Sequence, residues 1–128
     1  MQFVRRPRGA SEDSIAEVER RYDVQLPPEL RAFWAKSDGA ILWFGFKELQ
    51  FFTLSEVLED IYSVREHMPG GLPLCMDGNG NVCLARIFGG QIAGYYVAEA
   101  GVLEWEEAAQ ISSDFAGFLR DDQRPECS

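Results

Sequence analysis

The chain has one histidine and three cysteines among its 128 residues. A tetrahedral zinc site needs four nitrogen or sulfur ligands, and no Cys-x-x-Cys is present to start one. An odd number of cysteines does not make a disulfide framework. His67, as the single imidazole, is poor material for acid–base or thiolate catalysis. No apolar run approaches the ~20 residues of a membrane span. The basic opening Met1–Arg8 has no apolar segment behind it, so a secretory signal is not expected and a soluble cytoplasmic protein is. No Gly-Lys-Ser/Thr follows any glycine-rich turn, so a phosphate loop is not expected.

Positive charge is also scarce, with 12 Lys and Arg against 21 Asp and Glu and a net charge of −9. The imbalance is uneven along the chain. Residues 1–40 carry seven basic groups (Arg5, Arg6, Arg8, Arg20, Arg21, Arg31, Lys36) and seven acidic ones. Residues 41–128 carry the remaining five basic and fourteen acidic groups, which supply the whole −9. Direct nucleic-acid binding is disfavoured, because phosphate contacts need Lys and Arg. A basic partner protein would be steered toward such a surface, whereas acidity that serves only solubility is the plainer alternative.

The chain is long enough for one domain with its own core, and its apolar share of 46% is that of a globular protein. Leu72–Met76, Val82–Ile87 and Ile92–Val97 are short apolar runs. Asp77-Gly-Asn-Gly-Asn81 and Phe88-Gly-Gly-Gln91 separate them, and this alternation predicts an antiparallel meander of hairpins. Ile15, Val18 and Tyr22 recur at helical spacing, with Ser14 and Glu17 as a capping box and Ser11 competing for the cap. A second helix is expected from Pro28 through Leu30, Phe33 and Trp34, stopping at Gly39. Ile41–Phe44 and Leu49–Phe52 read as a first hairpin. Thr53-Leu-Ser-Glu56 is a clear capping box, and Val57, Ile61, Val64 and Met68 extend its helix to Pro69. Val102–Trp105 reads as a short strand, and Ser112-Ser113 as the cap of a last helix bearing Phe115, Phe118 and Leu119. Residues 1–10 and 121–128 are expected to be loose tails. The fold class is α+β, a twisted antiparallel sheet flanked by helices in a single domain.

Several local patterns imitate chemistry. Asp77-x-Asn79-x-Asn81 copies the opening of a calcium loop. Val82 then stands where the sharp-turn glycine belongs and Phe88 where the bidentate glutamate belongs, so a hairpin turn is the better reading. Cys75 and Cys83 are symmetric about Asn79 and are expected opposite each other, as buried thiols. His67 is read as a partner for a helix C-terminus. Glu59-Asp60 and Glu106-Glu107 are adjacent carboxylates of the kind usually found on a solvated face. No metal, cofactor or catalytic constellation is expected.

Three segments in order carry a resemblance. The first is a Glu-rich helix followed by Leu-Pro and an aromatic helix ending in Gly, here Ile15-Ala-Glu-Val-Glu through Leu26-Pro-Pro-Glu-Leu-Arg-Ala-Phe33 to Asp38-Gly39. The second is Leu72-Pro-Leu entering Asp77-Gly-Asn-Gly-Asn81 and leaving in Val82-Cys-Leu84. The third is Ser112-Ser-Asp-Phe-Ala-Gly-Phe118-Leu119. Over about Ile15 to Leu119 the chain resembles the SMI1/KNR4 family, also called the SUKH superfamily. The resemblance implies an α+β sheet with flanking helices and no catalytic residues. In bacteria it implies an immunity protein that binds and neutralises a toxin, often a nuclease; eukaryotic relatives act in regulatory scaffolds. The bulky run Ile41-Leu-Trp-Phe-Gly-Phe46 departs from the family and is an interaction surface if exposed.

The expected function is therefore recognition of a basic protein, such as a cognate toxin domain, with a regulatory scaffold module as the alternative. An enzyme would need a pocket with convergent polar groups. Candidate contact residues are Glu56, Glu59 and Asp60 on the third helix, Asp77 at the turn, and Glu99, Glu104, Glu106 and Glu107 near the last strand. Trp43 and Trp105 are the candidate aromatic anchors. Core packing of both tryptophans and plain solvation of the acids are the competing reading.

Overall fold

The computed structural model describes residues 2–5, 7–45 and 47–121. Seven strands form one antiparallel sheet in chain order: β1 Gln2–Arg5, β2 Ile41–Trp43, β3 Glu48–Phe51, β4 Gly71–Met76, β5 Asn81–Phe88, β6 Gln91–Glu99 and β7 Ala109–Ser112. The helices are α1 Glu12–Tyr22, α2 Pro28–Lys36, α3 Leu54–Leu58, α4 Val64–His67 and α5 Phe115–Asp121. The expected α+β meander is present. Gln2–Arg5, expected within a loose arm, instead pair with β2 at the sheet edge, exposed along their whole length. Of the expected C-terminal tail, residues 122–128 lie outside the described residues.

Val82, Cys83, Leu84 and Ala85 are all buried. Such a continuous apolar run suits a strand covered on both faces. Cys83 and Ala85 share one face with their partners Val97 and Tyr95. On that side the Tyr95 ring lies 5.6 Å from Phe118, and Phe33 of α2 lies 4.6 Å from Phe51 and 5.6 Å from Phe115 of α5. Val82, Leu84 and Tyr96 occupy the other face, where Val64 of α4 meets Leu84 over Gly71. Pro73 pairs with Leu84 of β5. Because the Ile87 amide donates to the Gly70 carbonyl at 2.7 Å, the alternation makes Pro73–Leu84 a non-hydrogen-bonded pair. β3 pairs with β4 at Cys75 and Met76, so proline is tolerated there. Cys75 and Cys83 stand opposite each other in the register, as expected, and both are buried.

Local signals decide most helix ends. Ser11 rather than Ser14 caps α1: its hydroxyl accepts from the Ser14 amide at 3.1 Å, which puts Glu12 and Asp13 in the first turn against the dipole. Asp114, not Ser112 or Ser113, bonds the first turn of α5, accepting from the Gly117 amide at 2.6 Å. The capping box at Thr53 forms as read. Its helix does not run on to Met68, however, and stops at Leu58. The Val57 carbonyl, which would receive the Ile61 amide in a continuing helix, accepts the Tyr22 hydroxyl at 2.7 Å and the Asp60 amide at 3.1 Å. Asp60, Tyr62 and Ser63 then adopt positive φ around a 3-10 turn at Ile61–Ser63. His67 ends up in the last turn of the separate α4, its Nδ1 2.9 Å from the Ser63 carbonyl.

Two buried tyrosines make the fold sensitive to alkali. Burial pushes Tyr22 up to about 12, with a smaller contribution from the Asp60 charge. Burial likewise pushes Tyr95 up to about 12, helped by Glu29 and Asp114. In the unfolded chain both ionise near 10. The unfolded state therefore loses these protons first, and stability is complete below about pH 10 and falls as pH rises toward 12. Urea midpoints measured from pH 9 to 12 should decline in that window; a flat profile would contradict the burial of both phenols.

Candidate partner-binding surface

The sequence offers the acids as one class, and hydrogen bonding divides them. The Glu56 carboxylate is used by its own helix, accepting from the Thr53 amide at 2.9 Å. An oxygen of Asp60 accepts from the Arg65 amide at 2.8 Å and steadies the left-handed turn. Asp77 is buried and organises the β4–β5 turn, accepting from the amides of Asn79 and Asn81 and from the Asn81 side chain. This is turn chemistry, and all of its carboxylate contacts are local. Among the described residues no group of three His, Cys, Asp or Glu side chains is placed to hold a metal ion.

Glu59, Glu99, Glu104, Glu106 and Glu107 remain exposed, and none makes a side-chain hydrogen bond or ion pair with another described residue. Ion pairs join Glu12, Glu17 and Glu19 to Arg20, Arg21 and Arg31 in the N-terminal region. The sheet gathers four of the free acids on one connection. This connection leaves β6 at Glu99, crosses Val102 to Glu104, turns through a 3-10 segment at Trp105–Glu107 and enters β7. The expected strand at Val102–Trp105 is therefore absent, and the strand begins at Ala109. Glu99, Val102 and Glu107 line a shallow cleft of about 120 Å³. The Ala100 amide donates to the Gly80 carbonyl at 2.9 Å, which ties the connection to the turn built by Asp77.

Trp105 pins the connection to the sheet. Its indole N–H donates to the Pro69 carbonyl at 2.9 Å, its ring meets Tyr96 edge-on at 5.2 Å, and the Arg86 guanidinium lies 4.3 Å above it. The expected strand is given up because this half-buried indole turns inward, which the alternating pattern of Val102–Trp105 does not reveal. The sequence does not single out Arg86 and Tyr96; an aromatic and an arginine at diagonal positions of adjacent strands are legible only once the register Leu84–Tyr96 and Arg86–Gly94 is known. Trp43 is apart from this group. It is 39% exposed on β2, four strand positions from β6 and so roughly 19 Å away. In the run Ile41–Phe46, Leu42 is buried and Ile41 and Phe44 are half-buried, so the run is mostly sheet packing; Phe46 lies outside the described residues. Glu56, Glu59 and Asp60 sit at α3 and the turn that follows it, on a different connection from Glu99–Glu107.

With this geometry in place, the comparison with known families is decisive. The model of the SMI1 / KNR4 family (SUKH-1) matches residues 9–121. The chain belongs to the SMI1/KNR4 family. A search of curated proteins gave no match. Within this SMI1/KNR4 domain, the matched span begins after β1 and takes in β2 to β7 and all five helices. No helix among the described residues is long and apolar enough to cross a membrane. Family membership supports a protein-binding role, and it directs attention to surfaces rather than to pockets.

Proposed function

We propose that this SMI1/KNR4 domain is a non-catalytic immunity protein that neutralises a cognate toxin by direct binding, with the Glu99–Glu107 connection as its contact for a basic surface. The observation that carries this reading is the set of four carboxylates, without a side-chain partner among the described residues, on a segment that Trp105 holds in place. A fixed segment loses little conformational freedom on binding, so more of its electrostatic attraction survives as affinity. Carboxylates at the rim mainly accelerate encounter with a basic partner. A nuclease whose Arg and Lys hold phosphate is a partner of that kind. The acids already engaged at Thr53, Arg65 and Asn81 are poorer candidates, because each would have to give up a hydrogen bond of the fold.

Co-expression with the product of the adjacent upstream gene tests the reading, scored by cell survival and a co-purifying complex. The double reversal Glu106→Lys with Glu107→Lys should slow association by roughly tenfold or more at low salt, while Glu59→Lys stays within about twofold. Cell death with wild-type protein, survival without a complex, or reversal without effect would reject it.

A further inference from the structure

β5 leaves the core with Arg86-Ile87-Phe88. Alternate residues of a strand share a face, so Leu84, Arg86 and Phe88 follow one another on one side at roughly 7 Å intervals. Leu84 is buried, and Arg86 lies over Trp105 at 4.3 Å and over Tyr96 at 5.9 Å. Phe88 is 79% exposed, the greatest exposure of any large hydrophobic side chain among the described residues.

The backbone beneath Phe88 is braced. Gly89 and Gly90, with φ of 60° and 76°, close a two-residue hairpin of the kind that matches strand twist. The Gly90 carbonyl accepts from the Gln25 amide at 2.8 Å, and Gln25 bridges to Gln91, so the tip is fastened to the segment between α1 and α2. An apolar ring on a fastened tip, beside an arginine stacked on tryptophan, has the composition of the buried centre of a protein interface.

We propose that Phe88 is the anchor of the partner interface and enters an apolar pocket on a basic protein, with Arg86 on its strand face, Trp105 stacked on that arginine, and Glu104 and Glu106 on either side of Trp105 as the acidic rim. This rests on the binding role proposed above and names the residue that sets residence time. The rim decides the occupant. Glu104 and Glu106 flank Trp105 with no side-chain partner among the described residues, and a second copy of a chain with net charge −9 would bring like charges together, whereas a basic protein meets complementary charge.

The test measures binding of the upstream gene product to wild type, Phe88→Ala and the double reversal at Glu106 and Glu107, with melting curves and sedimentation of each protein alone. Phe88→Ala should weaken the complex by roughly thirtyfold, mainly through faster dissociation, with an unchanged melting temperature because the ring is exposed. Equal binding by wild type and Phe88→Ala, with the double reversal weakened, would overturn the anchor and leave the binding role standing. No binding by wild type would overturn both. A wild-type dimer that Phe88→Ala converts to monomer would assign the ring to a second copy and overturn the proposal.

Discussion

Trp34→Ala is expected to remove roughly 3–5 kcal/mol of stability, a large share of what a domain of this size possesses. Trp34 is fully buried near the end of α2, where the spacing of Leu30, Phe33 and Trp34 turns one face inward. Its indole N–H donates to the Phe52 carbonyl at 3.3 Å, and its own carbonyl accepts from the Ala10 amide at 2.9 Å. Truncation leaves a cavity and an unmatched carbonyl at the junction of α2 with the end of β3. Trp34→Phe keeps most of the volume and should cost about 1–2 kcal/mol, the loss of one buried hydrogen bond with incomplete filling. Urea unfolding followed by circular dichroism would show the midpoint falling at constant slope. A loss below about 1 kcal/mol for the alanine variant would mean that Trp34 is not packed as described.

Gly9→Ala should cost roughly 2–3 kcal/mol, although residue 9 precedes the first helix. The Arg8 carbonyl accepts from the Asp38 amide at 3.0 Å, and the Ala10 amide reaches Trp34, so residues 8–10 lie directly against the end of α2. A methyl group on Gly9 would stand 1.8 Å from the Ala35 carbonyl oxygen and 2.6 Å from its carbon. Both are backbone atoms, so no rotamer change relieves the clash and one segment has to move. Gly101→Ala is the control, since a methyl group there meets nothing within 4 Å and its backbone is not left-handed. Melting temperatures of the two variants should differ by several degrees. Equal values would show that the approach of residues 8–10 to α2 relaxes freely.

The two substitutions separate kinds of information. Trp34 belongs to a pattern visible in the sequence, and its burial follows from that pattern. Nothing in Arg8-Gly9-Ala10 announces a close backbone approach, which exists because α2 passes there. The acids divide similarly. Thr53 and Glu56 declare their own pairing, and Asp77 declares its turn, because each bond spans two to four residues. That Glu99, Glu104, Glu106 and Glu107 have no side-chain partner among the described residues depends on where the basic side chains end up, and composition does not contain that. Phe88 reads in the sequence as the opening of a turn and as the residue that spoils a calcium loop. Neither reading contains its exposure, which the packing around the hairpin tip decides.

Local chemistry by itself determined the α+β class, the meander of β4 to β6, the opposition of Cys75 and Cys83, the capping box at Thr53 and the acidic C-terminal region. These rest on period, turn residues and contacts between near neighbours, which a sequence displays directly. Tertiary structure alone decided that the third helix breaks after Leu58, that the strand before α5 begins at Ala109, and that residues 2–5 join the sheet. The physical reason is common to all three. Each depends on a competitor distant in the chain (the Tyr22 hydroxyl for the Val57 carbonyl, the Pro69 carbonyl for the Trp105 indole, the β2 edge for Gln2–Arg5), and such competition is settled only when the chain has folded.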